Sequence, residues 1–292
     1  MSLWMSSGAF QTRDVAGVLA GARANGVTGV ELSSGLAYSP DLLTTVRAAH
    51  DVGDLRFLVH NYFPPPEQPF VLNVAAEGEG LRQTRALCSR ALHLAKDVGA
   101  PFYSIHAGFA ATLRAEQLGR PAEQAKALSA ADIDREGGRA RMVETVRAVA
   151  DEAADLGLRL LIENNVISPV YLEQMPINPL LLTQADECTA FFEEVARANV
   201  GLLLDVAHVK VSATAQGFDP HRFIETVADW VGCLHLSDND GREDTNQPVR
   251  TDSWFVPHLK DFVDCPWVIE AYNLDGATQR SQLELLRGVK EQ

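Results

Sequence analysis

The chain has 292 residues, 46% of them hydrophobic and 22% charged, ordinary globular values that argue against a disordered or fibrous protein. Its 25 Lys and Arg against 39 Asp and Glu leave a net charge of −14, still −6 with all eight histidines protonated (−14 + 8). Such a surface repels phosphate backbones, which disfavours broad capture of nucleic acid and leaves only a locally positive or metal-filled cleft as a place for a single phosphate.

From the N-terminus onward, short apolar runs alternate with longer segments of helical period. Strands are predicted at LWMSS (3–7), GVELSS (29–34), LRFLVH (55–60), PFYSIH (101–106), RLLIEN (159–164), VGLLLD (200–205), VGCLHL (231–236) and PWVIEA (266–271). Most are continuously apolar, as parallel strands covered on both faces must be. The intervening segments, such as TRDVAGVLAGARAN, GLRQTRALCSRALHLAKDVG and ARMVETVRAVADEAADLG, carry apolar residues three and four apart. Gly26, Gly99 and Gly157 close such segments ahead of the next strand. Eight strands separated by helices predict an α/β protein, a (β/α)8 TIM barrel in a single domain over 1–292. A doubly wound sheet also alternates, but no G-x-G-x-x-G follows a strand.

Three long connections follow strands, at 61–76, 107–135 and 166–182, and long βα loops build barrel active sites. Their apolar residues Tyr62, Phe63, Phe70, Tyr171 and Leu172 are expected as pocket walls rather than surface decoration. No run is long and apolar enough for a transmembrane helix, and MSLWMSSGAFQTRD lacks the basic and apolar regions of a secretory signal. Cys88, Cys188, Cys233 and Cys265 form no C-x-x-C and are read as buried thiols, so a soluble cytoplasmic protein is expected.

The strand ends carry the chemistry. His60, His106, Glu163, Asp205, His235 and Glu270 fall at or near the C-terminal ends of six successive predicted strands. Their partners two residues earlier are Leu58, Ser104, Leu161, Leu203, Cys233 and Val268, so a period of two places all six on the inner face at the catalytic mouth. Carboxylates and imidazoles converging in a low dielectric are costly unless paired or bound to a cation. Asp, Glu and His donors suit Mn, Mg, Co or Zn. Taken singly, a strand-end histidine is usually just hydrogen-bonded, and a strand-end carboxylate often caps the next helix. Asp205-Val-Ala-His208 is weak by itself. Six such residues in one geometric position point to a shared divalent-metal site.

The strings LLIENN, LLLDVAHVK, HLSDNDG and WVIEAY resemble the xylose isomerase-like barrels. That superfamily includes sugar isomerases and epimerases, hydroxypyruvate isomerases, dehydroshikimate dehydratases and apurinic endonucleases of the endonuclease IV type. The resemblance covers nearly the whole chain and is strongest from 159 to 273. It implies that Glu163, Asp205, His235 and Glu270 hold one divalent metal ion, and that Glu163 and Glu270 are also the catalytic acid/base pair across the sugar. It implies further that His208 contacts substrate or joins an extra metal. Removing a proton beside a carbonyl needs a base on one face and a metal to hold the enediolate oxygens, and returning it on the other face needs a second acid.

The apurinic endonucleases add histidines at the third and fourth strand ends, which His60 and His106 match as ligands of a second ion. Their Asp-x-His after the seventh strand is replaced here by Asp244-Thr245-Asn246, an amide where a third metal needs imidazole. HNYFPPP and PFVLN nevertheless resemble that branch's third-strand loop. Arg242, beyond Asp238-Asn239-Asp240-Gly241, is read either as a fork for a substrate hydroxyl or phosphate or as a solvated arginine pairing with Asp240 or Glu243. Trp254 and Phe255 are read as packing residues ahead of a sugar-stacking role.

The first expectation is a divalent-metal-dependent isomerase or epimerase of a small sugar, sugar phosphate or related hydroxycarbonyl compound, with room for a homo-oligomer. The alternatives are a zinc phosphodiesterase of the apurinic endonuclease type and a catalytically silent barrel that keeps its metal.

Overall fold

Strands apolar along their whole length have no face to give to water, and here they close on themselves. The computed structural model describes residues 3–114, 117, 121–175 and 177–291. Its strands are β1 (Leu3–Ser6), β2 (Gly29–Leu32), β3 (Arg56–His60), β4 (Phe102–His106), β5 (Arg159–Glu163), β6 (Val200–Asp205), β7 (Val231–Leu236) and β8 (Trp267–Ile269). They pair in sequence order, all parallel, and β8 returns to β1 through Leu3↔Trp267, Trp4↔Val268 and Met5↔Ile269. The result is a closed eight-stranded TIM barrel, as predicted.

The helices are α1 (Val15–Ala24), α2 (Leu42–Val52), α3 (Gly78–Asp97), α4 (Pro121–Ala127), α5 (Arg135–Asp155), α6 (Pro169–Gln174), α7 (Ala185–Val195), α8 (Val206–Gln216), α9 (Pro220–Val227) and α10 (Gly276–Lys290). A 3-10 helix, Val256–Phe262, stands between β7 and β8 where the other repeats place an α-helix. Gly26, Gly99 and Gly157 sit at positive φ of 69°, 65° and 74° just past helix ends, which lets the chain turn back toward the next strand without strain.

Register sets the site. His106 lies beside Glu163 across β4–β5, and Asp205 beside His235 across β6–β7. β1 and β8 stop earlier than their apolar runs suggest. Ser6 caps a 3-10 turn at Ser7–Ala9, and Glu270 lies one residue past β8, held in line by its N–H donating to Leu236 O at 3.0 Å.

At the opposite end of the barrel the Arg56 guanidinium lies 4.6 Å over the Trp4 ring. Gly29 makes room for that indole, since a Cβ there would come within 2.7 Å of Trp4 and 3.1 Å of the Leu3 carbonyl. Gly29→Ala should therefore cost about 1–3 kcal/mol through overpacking, read as a lower urea midpoint at unchanged slope.

The long loops are more ordered than their composition suggests. The 107–135 connection contains α4 and a 3-10 turn at Ala130–Asp132, and the 166–182 connection contains α6; residues 115, 116, 118–120 and 176 lie outside the described set. Asn165 ties the two loops together, its amide donating to Ala107 O, Gly108 O and Leu181 O at 3.1, 3.0 and 2.9 Å. Arg135 adds bonds to Asn178 O and Leu180 O. Of the expected wall residues, Phe63 is wholly buried and belongs to the core, while Tyr171 lines a cleft.

Cys88, Cys188 and Cys233 are buried and unpaired and Cys265 is half-buried; burial pushes the Cys88 thiol up to about 12, so it is inert. Among the described residues no helix is long and apolar enough to cross a membrane.

Candidate metal centre

Glu163, Asp205, His235 and Glu270 meet at the C-terminal mouth. Each offers a ligand atom, and all four atoms lie within 4.8 Å of one another. His235 Nδ1 stands 2.8 Å from Glu270 Oε2, 3.4 Å from Glu163 Oε1 and 3.9 Å from Asp205 Oδ2. Despite these separations, His235 Nδ1, both Glu163 oxygens and Asp205 Oδ2 are buried without a hydrogen bond. Buried polar atoms left without partners this close together mark a place for a cation. Three oxygens and one nitrogen this close suit a divalent cation, whose ligands lie about 2.0–2.6 Å away.

Local structure explains why these atoms are free. Asp205 precedes α8, and its Oδ1 caps that helix by accepting the His208 N–H at 2.8 Å. The helix-cap role and the site role therefore coexist in one residue: Oδ1 caps and Oδ2 faces the cluster. The Asn164 side chain clamps the Asp205 backbone, accepting its N–H at 2.9 Å and donating to its carbonyl at 3.1 Å. On His235, Nε2 faces Glu31 Oε1 at 3.1 Å and Oε2 at 3.0 Å, which places the proton on Nε2 and leaves Nδ1 as the ligating atom.

The histidines predicted beside the site are there. His60 Nε2 and His106 Nε2 each lie 3.3 Å from Glu163 Oε2, and these three residues form a second group of potential ligands. His60 is fixed from behind by Ser104 Oγ, 3.0 Å from its Nδ1, whereas His106 is 35% exposed at the mouth. His208 Nδ1 donates to Asn164 O at 2.8 Å, and its Nε2 faces Asp244 Oδ2 at 3.2 Å.

The electrostatics divide the cluster. Burial holds His60 down at about 3, so it stays neutral. Burial also opposes charge on His235, but Glu270, Glu31 and Glu163 outweigh it and hold the imidazole well above 6.5. Burial alone would raise Glu270, yet His235 brings it to about 2. Burial raises Asp205 well above the usual carboxylate range.

Glu270, Glu31 and Glu163 thus favour a proton on His235 in the cation-free protein, one that a metal must displace. Metal affinity should rise about tenfold per pH unit while that proton persists, and fall as the solution is made acidic. Calorimetric titration in buffers of different ionisation enthalpy should show proton release; a pH-independent affinity would contradict this.

Arg242 is exposed on the loop after β7. Its backbone N–H donates to Asp240 Oδ1 at 2.8 Å, and among the described residues no ion pair joins its guanidinium to the cluster. Trp254 and Phe255 pack edge-on at 6.0 Å, with Phe255 fully buried. Glu31 and Tyr272 escaped the sequence reading, and Asp244 was noted there only as part of a departed Asp-x-His motif. Glu31 had a visible signal, a charge inside an apolar barrel run. Asp244 and Tyr272, whose hydroxyl donates to Glu270 Oε1 at 3.1 Å, lie on loops with no periodicity to place them.

Two clefts flank the cluster. One of about 480 Å³ is bounded by Ser7, Ser33 and Tyr272. The other, of about 510 Å³, lies between the loops after β4, β5 and β7 and is bounded by Phe109, Tyr171 and Asp244.

A family model for the xylose isomerase-like TIM barrel matches residues 19–281. Among curated proteins none matches the chain in sequence. Similar solved structures include a D-tagatose 3-epimerase-like protein, at 16% identity and TM-score 0.71 over 100% of this chain and 97% of that one. The D-psicose 3-epimerase of Clostridium cellulolyticum H10, solved with D-tagatose, is 15% identical with TM-score 0.69 over 99% of each chain. The 3-keto-D-glucoside 4-epimerase YcjR of E. coli is 16% identical with TM-score 0.69, again over 99% of each. At these identities the likeness establishes the fold.

Proposed function

The chain belongs to the xylose isomerase-like TIM barrel family, and from that premise we propose that it is a divalent-metal-dependent epimerase or isomerase of a sugar or sugar-derived hydroxycarbonyl compound. The observation that carries this is the convergence of buried, unbonded Glu163, Asp205 and His235 atoms with Glu270 on one centre. The similar folds that act as sugar epimerases support it.

Glu163, Asp205, His235 and Glu270 would hold the cation, which when bound supplies Lewis acidity toward the carbonyl and the adjacent hydroxyl of the sugar. The chain's own groups move the proton. Glu163 and Glu270, on β5 and just past β8, approach the substrate carbon from different sides. One takes the proton as carboxylate and the other returns a proton to the planar enediolate. Tyr272 holds one Glu270 oxygen by a hydrogen bond, leaving the other toward the centre. His208, which Asp205 and Asp244 hold well above the usual imidazole range against burial, stands beside the cluster as a contact for a substrate oxygen, and exposed Arg242 on the loop after β7 is a second one. The test is incubation with a panel of ketoses, aldoses and keto-sugars in deuterated water with added Mn. Deuterium at carbon is expected; its absence throughout would overturn the proposal.

A second reading, the zinc phosphodiesterase, rests on the His60–His106–Glu163 group. That group should take up a second metal equivalent at higher concentration, lost in His60→Ala and His106→Ala. Saturation at one equivalent in all three proteins would reduce these histidines to substrate contacts. Glu243 and Asp244 beside the mouth weigh against a phosphodiester.

A further inference from the structure

β1 stands between β8 and β2 in the barrel, so the turn after it lies between the strand that leads to Glu270 and the strand that carries Glu31. The cleft of about 480 Å³ opens there, and two of its lining residues lead back to the cluster. Tyr272 donates its hydroxyl to Glu270 Oε1. Ser33 follows Glu31 by two residues, and Glu31 faces His235. Charge sets this cleft apart from the other. The cleft between the loops after β4, β5 and β7 carries Glu243 and Asp244 and no base among its described residues, whereas Arg13 is the one charged residue among those lining the cleft above β1. In a chain of net charge −14, a wall with a cation and no carboxylate locally inverts the surface field.

Resting on the epimerase reading, we infer that the substrate carries an anionic group, a phosphate ester or a carboxylate, which this cleft holds between Arg13 and the turn at 33–35. Arg13 Nε donates to Gly35 O at 3.0 Å, and the Ala37 N–H donates to Arg13 O at 2.8 Å, so the arginine is pinned to the turn. Among the described residues no ion pair engages its guanidinium, and its two terminal NH2 groups remain as donors. Beside it the N–H groups of Ser34 and Gly35 make no hydrogen bond among the described residues. A Cβ on Gly35 would meet nothing within 4 Å, so the turn faces open space. A guanidinium fork next to free backbone N–H groups offers donors only, which suits an oxyanion better than a hydroxyl. The turn is braced from below, where buried Ser7 accepts the Ser33 N–H at 3.0 Å on its Oγ, so the donors are set before a ligand arrives. The reacting carbon lies beside Glu163 and Glu270, outside this cleft, so the anion belongs at the far end of the substrate.

The test titrates Mn-loaded protein calorimetrically with ribulose 5-phosphate, xylulose 5-phosphate and fructose 6-phosphate, with glucuronate and galacturonate, and with the neutral parent of each. At least one anionic sugar should bind about tenfold or more tightly than its parent, by a margin that shrinks as salt is added. Arg13→Gln, at an exposed position that does not threaten the fold, should erase most of that margin. Ser34→Asp, also exposed, leaves Arg13 in place and should erase it by setting a carboxylate against the anion. A margin confined to the phosphates assigns a phosphate ester, and one confined to the uronates assigns a carboxylate. Equal binding of anionic and neutral partners, or no binding by any sugar, would overturn the inference. So would a margin untouched by Arg13→Gln, which would put the anion on the metal. The outcomes separate the two proposals: deuterium exchange into neutral sugars with no anion preference overturns the anion site alone. An Arg13-dependent preference with no exchange into any sugar keeps the site and overturns the epimerase.

Discussion

Glu270→Gln should reduce turnover, measured as deuterium wash-in, by about 10²–10⁴-fold, the usual worth of a positioned acid or base. The amide is nearly isosteric and keeps an oxygen for the cation, but it has no proton to exchange. In the cation-free protein His235, 2.8 Å away, holds the Glu270 carboxyl at about 2 against the opposing effect of burial, so the side chain meets an incoming metal already ionised. Glu163 remains in the variant, and its two buried unbonded oxygens are still available to the metal. The signature is thus a split: large loss of exchange with much of the metal affinity retained. Retained exchange would remove Glu270 from the proton path; loss of metal in proportion to loss of activity would reduce it to a ligand.

The second large effect is expected at a residue that touches no substrate. Glu31→Gln should weaken metal binding about 10–100-fold, the usual cost of removing the partner that orients a ligating histidine. Both Glu31 oxygens lie 3.0–3.1 Å from His235 Nε2, and both residues are wholly buried. Burial pushes the Glu31 carboxyl up, and the contact with His235 only partly offsets it, so this contact is what favours its charged form. With an amide there, Nε2–H loses a charged acceptor and the tautomer that frees Nδ1 loses its advantage. Competition with a chromophoric chelator measures the change, and an unaltered far-UV spectrum excludes misfolding. Affinity equal to the native protein would show that the ring is oriented without Glu31.

What was legible from sequence divides along the range of the interactions. Strand ends such as Glu163, Asp205 and His235 could be placed because period-two alternation is local, and on these three strands the predicted terminus falls within a residue of the observed one. Glu270 lies just past β8 and was still placed, because the same alternation continues in its backbone bond to Leu236. Contacts across the barrel are not local. Glu31 and His235 are 204 residues apart, and nothing in GVELSS says which histidine the glutamate faces. The pairing of His208 with Asp244 and of Tyr272 with Glu270 depends on loop conformations that carry no repeat. Phe63 looked like a wall residue because its loop is long, but the chain folds it inward.

The most direct measurement is an anomalous difference map from a crystal of the protein soaked with Mn. One peak should appear about 2.0–2.6 Å from oxygens of Glu163, Asp205 and Glu270 and from His235 Nδ1. A map with no peak inside that quartet, at a Mn concentration that saturates the protein in solution, would contradict the account at its centre.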